Sequence, residues 1–352
     1  MTAPSPEAIS ARDGWFDLWF DAFGRADGGP DRAGVWVPGT GGPRVPYVRA
    51  TERIGGVPVP VVRSATNVHT ARYDVLGDAP AGAAFCRDLL REQRASMLVF
   101  DHVDASSRLL ASLADAPPVL RWHQRLMARS PVVDCTIGFD RWWADRGSHR
   151  DTWKRRERRL IDREGGEVEV VRTWADAEAV LDEVLDVEAS GWKGGGGTAI
   201  KQGADTLRFY TGLVRWCAEE GTLRLYVLRL GGRIVAFQLD TLAGGTLSML
   251  KIGYLDELRK QSPGQVLQLQ ILRSAFADPE VEVFDMLGGN LHPDDTKLRF
   301  ATGIEDLYRV RVFAPTPRGA LAWSRHVAGP AARAALERRR AARDPDDQGT
   351  SR

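Results

Sequence analysis

Cysteine, long apolar runs and net charge are the three features that this sequence has little of. Its 352 residues include only three cysteines, which are scattered without the spacing of a metal site or a disulfide framework: Cys86, Cys135 and Cys217. We expect each of them to be a small buried hydrophobic residue rather than a nucleophile. The sequence therefore predicts neither a metal centre nor a disulfide-stapled secreted fold.

The apolar and charged residues are distributed as in an intracellular globular enzyme. No apolar run approaches the roughly 20 residues that a transmembrane helix needs, and the opening MTAPSPEAIS lacks the apolar core of a signal peptide. Lys plus Arg (48) and Asp plus Glu (47) nearly cancel, and a net charge of +1 argues against a protein that coats nucleic acid. We expect a cytoplasmic protein with two domains, each large enough to bury a core.

The segment 247–287 carries the most specific pattern in the chain. An apolar strand is followed by a polar loop, which ends in Ser262-Pro263-Gly264 and opens a helix to about Phe276, and a second strand follows over 281–287. Serine before proline predicts a helix start, with the Ser262 side chain capping free N–H groups. Because Gly264 removes side-chain bulk at the first turn, the helix start predicts an anion site suited to a pyrophosphate.

This strand, turn, helix and strand resemble the cofactor-binding core of the GNAT acyltransferase superfamily. The resemblance is to its FemAB-like branch, whose members include acetyltransferases assigned to exopolysaccharide or cellulose biosynthesis. The superfamily has a Q/R-x-x-G-x-G/A turn whose amides take the pyrophosphate of coenzyme A, and residues 261–266 match its Gln and first Gly, with Val266 in the last small position. The resemblance implies acetyl-coenzyme A as co-substrate, held by Gln261, Ser262, Pro263, Gly264 and Gln265. Since the branch also contains enzymes fed by aminoacyl-tRNA, that donor stays open.

The order of predicted elements extends the resemblance. Over 151–315 the predicted elements follow the GNAT order: two helices, three strands, the turn with its helix, and two more strands. The three strands are predicted at 223–230, 233–242 and 247–254, and Gly231-Gly232 and Gly244-Gly245 hairpins join them. Residues 1–150 contain strands, among them two predicted at 119–122 and 131–137, that alternate with helices. This half resembles a degenerate first copy. The fold class expected is therefore α/β, with tandem GNAT-like domains, each a mixed and largely antiparallel sheet flanked by helices. Residues 316–352 are expected to form a C-terminal helix and a disordered tail.

A highly charged helix, WKRRERRLIDRE over 153–164, lies between the two predicted domains. One interpretation is a basic surface for a tRNA, an acyl carrier protein or a phosphorylated substrate. The other, which we favour, is a solvated connecting helix with internal Arg–Glu pairs. A similar Arg-rich segment commonly opens the second domain in FemAB-like proteins.

Acyl transfer needs a base for the nucleophile, a group that steadies the oxyanion and an acid for the leaving group. Four residues are the candidates for this catalytic chemistry, and a fifth, Tyr308, is an alternative to one of them. Lys297 lies in an element similar to the family's Phe-Lys-x-x-Phe-Gly, whose lysine faces the substrate channel. Asp285 ends the strand where GNAT folds open to admit the donor, although it could instead pair with Arg. His292 titrates near neutrality and is a possible base, or a solvated loop residue, and Tyr254 is a possible acid, as is Tyr308.

Four further residues are candidates for substrate binding. Trp192 and Lys193 resemble the Ser-Trp-Lys element of FemAB-like acetyltransferases, with Gly191 in the place of Ser; a core position is the alternative for Trp192. Gln238 lies on a strand similar to one of the family and is expected to line the acceptor pocket. Lys251 lies near the end of the next strand.

These patterns predict an acyltransferase that moves an acyl group, expected to be acetyl, from coenzyme A to an amine or hydroxyl of a small-molecule or sugar-containing acceptor. The acceptor class is implied by the resemblance alone. One alternative is a FemAB-like aminoacyl-tRNA-dependent transferase that forms an amide bond, with a basic channel near Arg155 to Arg159. A second is a non-catalytic binding module, whose pocket below Gly264 would be filled by side chains such as Val266.

Overall fold

The fold is organised around one large sheet. The computed structural model describes residues 9–24, 33–39, 42–70, 72–190, 199–288 and 295–333. Their strands are β1 (Ala33–Trp36), β2 (Val45–Ile54), β3 (Val57–Ser64), β4 (Met97–Asp104), β5 (Arg121–Asp134), β6 (Glu167–Val171), β7 (Leu223–Leu230), β8 (Arg233–Ala243), β9 (Thr246–Tyr254), β10 (Val283–Asp285) and β11 (Gly303–Phe313). They form a single sheet in the order β1-β2-β3-β4-β11-β5-β10-β9-β8-β7-β6.

Helices cover the sheet in two groups. They are α1 (Asp13–Phe23), α2 (Ala84–Glu92), α3 (Arg108–Ala114), α4 (Phe139–Ala144), α5 (His149–Glu157), α6 (Trp174–Ala189), α7 (Ala204–Glu219), α8 (Pro263–Ala277) and α9 (Pro317–Trp323). Helix α8 packs on β7, β8 and β9 together with α4 and α5, whereas α6 packs on β8 and β9 together with α7 and α1. Strand β8 is buried at every position after its first, because both of its faces are covered.

Two parallel strand pairs give the sheet an internal repeat. β3 pairs in parallel with β4, and β9 in parallel with β10. Each pair is joined by a crossover that contains a helix, α2 in the first and α8 in the second, as parallel neighbours require. All the other strand pairs are antiparallel. The predicted α/β class, with a mixed and largely antiparallel sheet flanked by helices, is confirmed.

The two halves of the chain are interlocked. β11, from the C-terminal half, lies between β4 and β5, and β5 in turn pairs with β10. Helix α1, from the N-terminal end, packs against α7 so closely that a Cβ on Gly14 would lie 2.4 Å from the Trp216 ring. The division of the chain near residue 150 stays a prediction, since both halves contribute strands to one sheet.

The predicted elements of the C-terminal half agree closely with the observed ones. Strands β7, β8 and β9 begin and end within one residue of their predicted bounds. Gly231 and Gly232 both have positive φ angles (57° and 83°), which the tight β7–β8 hairpin requires. In the N-terminal half the prediction of separate strands at 119–122 and 131–137 is wrong. One long strand, β5, replaces them because β11 pairs with it from Arg121 to Val132 and supplies hydrogen-bonding partners for its polar middle.

The charged segment 153–164 is exposed over most of its length, but one side of it is fixed to α8. It forms α5 and a following π-helical turn, Arg158–Arg163. Trp153 is buried and stacks on Phe300, with ring centroids 4.4 Å apart. Glu157 accepts hydrogen bonds from Gln270 and Arg273 of α8, at 2.5 and 3.2 Å. The solvated helix with an internal Arg–Glu pair that we favoured from the sequence is present in part, since Arg159 pairs with Glu164 at 2.8 Å. In addition, α5 is fixed against the helix that begins at the predicted anion site.

Candidate functional site

An opening between β9 and β10 lies at the centre of the site. The two strands pair only over three residues, from Val283 opposite Thr246 to Asp285 opposite Ser248. Leu287 then adopts a left-handed backbone conformation, with φ of 40°, and the chain leaves β9. This is why the predicted strand 281–287 is shorter than expected. Beyond Ser248 the remaining edge of β9 faces an opening that we call the splay.

Lys297 occupies the splay. Its Nζ donates hydrogen bonds to the carbonyl oxygens of Met286 and Leu287, at 2.8 and 2.5 Å. These two carbonyls follow Asp285, the last residue of β10 that pairs with β9. The ammonium group therefore supplies hydrogen bonds to carbonyls that β9 no longer reaches. Asp295 holds the short 3-10 helix Thr296–Arg299 by accepting from the Lys297 N–H at 2.9 Å. The lysine thus has a fixed position at the edge of the open strand.

The first cavity, which we call the α8 cavity, lies on the face of the sheet covered by α8. It has a volume of about 330 Å³ and is lined by residues that include Gln238, Tyr254, Ser262, Gly264, Gln265 and Gln268. A Cβ on Gly264 would lie 3.4 Å from the Tyr254 ring, so the glycine keeps the mouth of the cavity open. Val266 is buried and lies outside this lining, and its bulk therefore does not close the cavity.

The turn that opens α8 differs from its prediction in one respect. Ser262 lies in the left-handed region (φ 57°, ψ 51°), and its side chain does not cap the helix. Side-chain capping requires an extended backbone at this position. Instead the Ser262 carbonyl accepts hydrogen bonds from the N–H groups of Gln265 and Val266. Pro263 is buried at the first helical position, as predicted. Strained conformations of this kind are concentrated at functional sites.

Arginines surround the mouth of the α8 cavity. Arg156 of α5 donates to Oε1 of Gln265 at 2.5 Å, and Arg259 lines the cavity itself. Burial, followed by the charges of Arg155 and Arg299, lowers the pKa of the Arg156 guanidinium, which remains charged at neutral pH. Four arginines from three separate segments therefore place positive charge at the start of α8, where the helix dipole also favours an anion.

The second cavity, which we call the α7 cavity, lies on the opposite face of the sheet. It has a volume of about 650 Å³, and its lining includes residues 66–70, His102 of β4, Tyr210 of α7 and Lys251 of β9. Three residues line both cavities: Met249, Ile252 and Lys297. Since these residues lie at the splay, the two cavities meet there, one on each side of the sheet.

The groups around the α7 cavity are shifted by burial. His69 has its pKa lowered to about 4 by burial and by the nearby charge of Lys251. Burial also raises the pKa of the Tyr210 phenol, and the Lys251 Nζ lies 5.0 Å from the centroid of that ring. His102 has a left-handed backbone, with φ of 62°, at an irregularity of the β4–β11 pairing. Perturbed titratable groups in a cavity are typical of functional sites.

Asp285 is buried outside both cavities. Its carboxylate accepts from Arg72 Nε at 2.6 Å and from Ser130 Oγ at 2.5 Å. Arg72 also pairs with Glu305 at 2.5 Å. Burial disfavours the guanidinium charge, but Asp285 and Glu305 outweigh burial and raise the pKa of Arg72. These contacts favour a structural role for Asp285. They match the alternative considered from the sequence, in which Asp285 pairs with an arginine.

Gln238 belongs to a buried polar pair. Its Nε2 donates to Asp240 Oδ2 at 2.8 Å, and burial raises the pKa of Asp240 well above its ordinary value. Gln238 lines the α8 cavity, on the side of the predicted cofactor turn rather than in a separate acceptor pocket. Its role in substrate binding stays a prediction.

Three predicted site residues, Trp192, Lys193 and His292, lie outside the described residues. The ends of the first gap are held near the site: Ser190 Oγ donates to the Tyr254 carbonyl at 3.2 Å, and Ile200 N–H donates to Glu188 at 2.8 Å. The structure adds His69, His102 and Tyr210, which sequence reasoning missed. No motif or spacing identifies them, because they reach the cavity from three distant segments.

Part of the chain matches a known protein family. Residues 147–294 match the acetyltransferase (GNAT) domain family. This segment is therefore similar to GNAT acetyltransferase domains. It contains β9, the turn, α8 and β10, which are the elements on which the resemblance rested. A comparison with curated proteins found no match.

Solved structures share the fold over most of the chain. The C-terminal domain of a putative lysylphosphatidylglycerol synthetase from Agrobacterium fabrum is 15% identical, with a TM-score of 0.56 over 91% of this chain and 93% of that one. A conserved protein of unknown function from Bacteroides thetaiotaomicron is 13% identical, with a TM-score of 0.58 over 88% and 94%. FemX is 10% identical, with a TM-score of 0.50 over 83% and 90%. The GNAT and FemAB-like resemblance is confirmed, and the chain shares its fold with these structures.

Two negative findings apply to the described residues. Across the ranges 9–333 with their gaps, no helix has the length and apolarity to cross a membrane. In the same part of the chain, no three His, Cys, Asp or Glu side chains gather as metal ligands. All three cysteines are buried, as expected of small hydrophobic residues.

Proposed function

We propose that this protein transfers an acetyl group from acetyl-coenzyme A to an amine or hydroxyl of a small-molecule or sugar-containing acceptor. The observation that carries this proposal is the meeting of two cavities, from opposite faces of the sheet, at Met249, Ile252 and Lys297. A donor and an acceptor that enter from opposite sides would bring their reacting groups together at the splay. Such positioning by itself contributes a large part of an enzymatic rate.

The α8 cavity suits the donor. Its mouth is the first turn of α8, where Gly264 leaves the approach open and Arg156 and Arg259 add positive charge for a pyrophosphate. The interior past Gly264 is mainly apolar, with Leu267 and Phe300 among its walls. A phosphorylated carrier with a thioester at its far end would extend from this turn towards the splay.

Lys297 and Tyr254 are suited to the chemistry of the transfer. As the acceptor attacks the thioester carbonyl, negative charge develops on that oxygen, and the ammonium group of Lys297 lies at the splay to stabilise it. When the C–S bond breaks, the thiolate takes a proton from Tyr254, which lines the same cavity as Gly264. Both residues belong to the wall of the α8 cavity, so both would contact the bound donor.

An aminoacyl-tRNA donor is the second candidate, and the arginine cluster favours it. Arg155 and Arg299 are exposed beside Arg156, at the cavity mouth. A nucleic acid backbone is bound chiefly by such side chains. FemX and the putative lysylphosphatidylglycerol synthetase domain share the fold. A non-catalytic binding module is not favoured, since the cavity below Gly264 is open rather than filled by Val266.

Calorimetric titration with acetyl-coenzyme A tests the donor. We expect micromolar binding to the wild type and a loss of at least about 100-fold in Gly264→Trp, because the indole would occupy a cavity of about 330 Å³. Gly264→Ala is the matched control: its Cβ would make an ordinary 3.4 Å contact with Tyr254, and affinity should fall only a few-fold. Absence of binding by a folded wild type would contradict coenzyme A and favour aminoacyl-tRNA or a carrier-protein thioester.

A further inference from the structure

His69 lies on the acceptor side of the splay, in a defined position. It belongs to the segment 66–70 that lines the α7 cavity. Its backbone N–H donates to Asn67 Oδ1 at 3.0 Å, which fixes the turn of the segment. Its ring stacks on Phe23 of α1, with centroids 5.6 Å apart and planes at 15°. The imidazole is therefore held from two directions.

Tyr210 contacts the imidazole from α7. The Tyr210 hydroxyl lies 3.4 Å from His69 Nδ1, and the two rings are almost perpendicular. If Nδ1 carries the proton and donates to this hydroxyl, Nε2 has no proton and can accept one. Orientation of an imidazole through one nitrogen, so that the other can react, is the arrangement of a general base.

The charges around His69 keep it neutral. The titratable groups that face it are Tyr210 from α7 and Lys251 from β9. Asp101 and His102 of β4 and Lys297 at the splay line the same cavity. Asp101 is paired with Arg309 and lies 3.5 Å from Arg63, so its charge is already compensated. Burial and Lys251 lower the pKa of His69 to about 4, and the ring is unprotonated at neutral pH.

We propose that His69, oriented by Tyr210, is the general base that takes the proton from the acceptor nucleophile. This inference rests on the proposed acyl transfer. The acceptor oxygen or nitrogen forms a bond to the thioester carbon, and its proton passes to His69 Nε2. The C–S electron pair leaves on the sulfur, and the thiolate takes a proton from Tyr254, which regains one from solvent. The imidazolium then returns its proton to solvent. Because burial and Lys251 disfavour a positive charge here, the imidazolium loses its proton readily, and the site suits a nucleophile that arrives neutral, such as a hydroxyl or a weakly basic amine.

Transfer kinetics measure the role of the imidazole. With acetyl-coenzyme A as donor and hydroxyl- or amino-bearing sugars such as glucosamine as acceptors, His69→Gln should lower kcat about 100-fold. The KM for acetyl-coenzyme A should stay within about threefold, since the donor binds on the other face. His69→Gly should regain activity with added imidazole, which a purely structural role would not produce. His123→Gln, outside both cavities, should behave as the wild type.

The tautomer of His69 can be measured without turnover. Nitrogen-15 NMR of the full chain, with the His69 signals assigned by their loss in His69→Gln, should show the proton on Nδ1 and a neutral ring down to about pH 5, above the lowered pKa. A proton on Nε2, or a ring charged at neutral pH, would overturn the inference whether or not transfer occurs. An active wild type whose kcat survives His69→Gln would also overturn it. Failure to bind acetyl-coenzyme A would instead count against the proposed donor.

Discussion

The two cavities differ in how the chain builds them. The α8 cavity is lined by residues from Phe237 to Phe300, a single stretch inside one half of the sequence. The α7 cavity takes its lining from 66–70, from β4 and β5, from α7, and from the segment between Met249 and Lys297. The first therefore has a local signature, and the second exists only through tertiary contacts. Mutations that affect one cavity and not the other show on which side of the splay each residue acts.

The largest effect is expected from the ion cluster next to the α7 cavity. Arg72→Met would leave Asp285 and Glu305 buried without their shared cation, and should lower the free energy of unfolding at pH 7 by about 3–5 kcal/mol. Urea denaturation measures it. Arg129→Met is the matched control, because the Arg129–Asp306 pair is exposed and worth about 1 kcal/mol or less. Equal losses in the two variants would mean that the cluster does not hold the halves together.

Lys297→Met should affect both cavities, because Lys297 lines each of them. Removal of the ammonium group leaves the Met286 and Leu287 carbonyls without their donor and removes the cation from the splay. The transfer rate should fall about 100-fold, with smaller changes in the affinity for acetyl-coenzyme A. Steady-state kinetics and calorimetry separate the two quantities. A loss of affinity with kcat unchanged would assign Lys297 to binding alone.

Asp240, which is buried on the α8 side of the sheet, is expected to make the free energy of unfolding depend on pH. Burial raises its folded-state pKa well above the unfolded value near 3.9, so its contribution to stability is full below about pH 4 and declines as pH rises towards the folded pKa. Asp240→Asn should remove a slope of up to about 1.4 kcal/mol per pH unit in that window. The measurement is urea denaturation of both proteins at pH 5 and pH 8. Parallel curves would show that Asp240 is ionised in the folded state.

Two glutamines of α8 provide the smallest and sharpest test. Gln268 is buried in the α8 cavity wall, and its Nε2 has no partner within the described part of the chain. Gln268→Leu should raise the stability of the free protein by about 1 kcal/mol, and should weaken acetyl-coenzyme A about tenfold if Nε2 donates to the ligand. Gln270→Leu, which breaks the bond to Glu157, should instead lower the stability and leave the affinity for acetyl-coenzyme A unchanged, because Gln270 lies outside the cavity lining. Unchanged affinity in Gln268→Leu would exclude that contact.

The sequence was sufficient to predict the elements around the α8 cavity because their signals are local. Glycine pairs mark the β7–β8 and β8–β9 hairpins, and Ser262-Pro263-Gly264 marks the start of α8. The conformation of Ser262 was not predictable in the same way. Its left-handed backbone follows from the 3-10 helix Asp256–Gln261 that enters the turn, and neither residue type nor spacing specifies that path.

The acceptor side could not be predicted for a different physical reason. His69 and Tyr210 are separated by 141 residues, and they meet only because α1 and α7 pack on the same face as the segment 66–70. Asp285 illustrates the converse: a carboxylate at the end of a strand has the sequence pattern of a catalytic acid, but Arg72, far away in the chain, pairs with it. Long-range partners decide such roles.

The position of β11 has a consequence for how the chain folds during synthesis. β4 and β5 contact each other mainly through β11, which is made after residue 302. Until the ribosome releases that strand, the N-terminal half presents two unpaired strand edges and cannot close its sheet. Contacts between residues so far apart also slow folding. Until β11 is synthesised, the open edges of β4 and β5 must not pair with other strands. Misassembly is therefore most expected during this interval, and a chaperone would bind the chain at that stage.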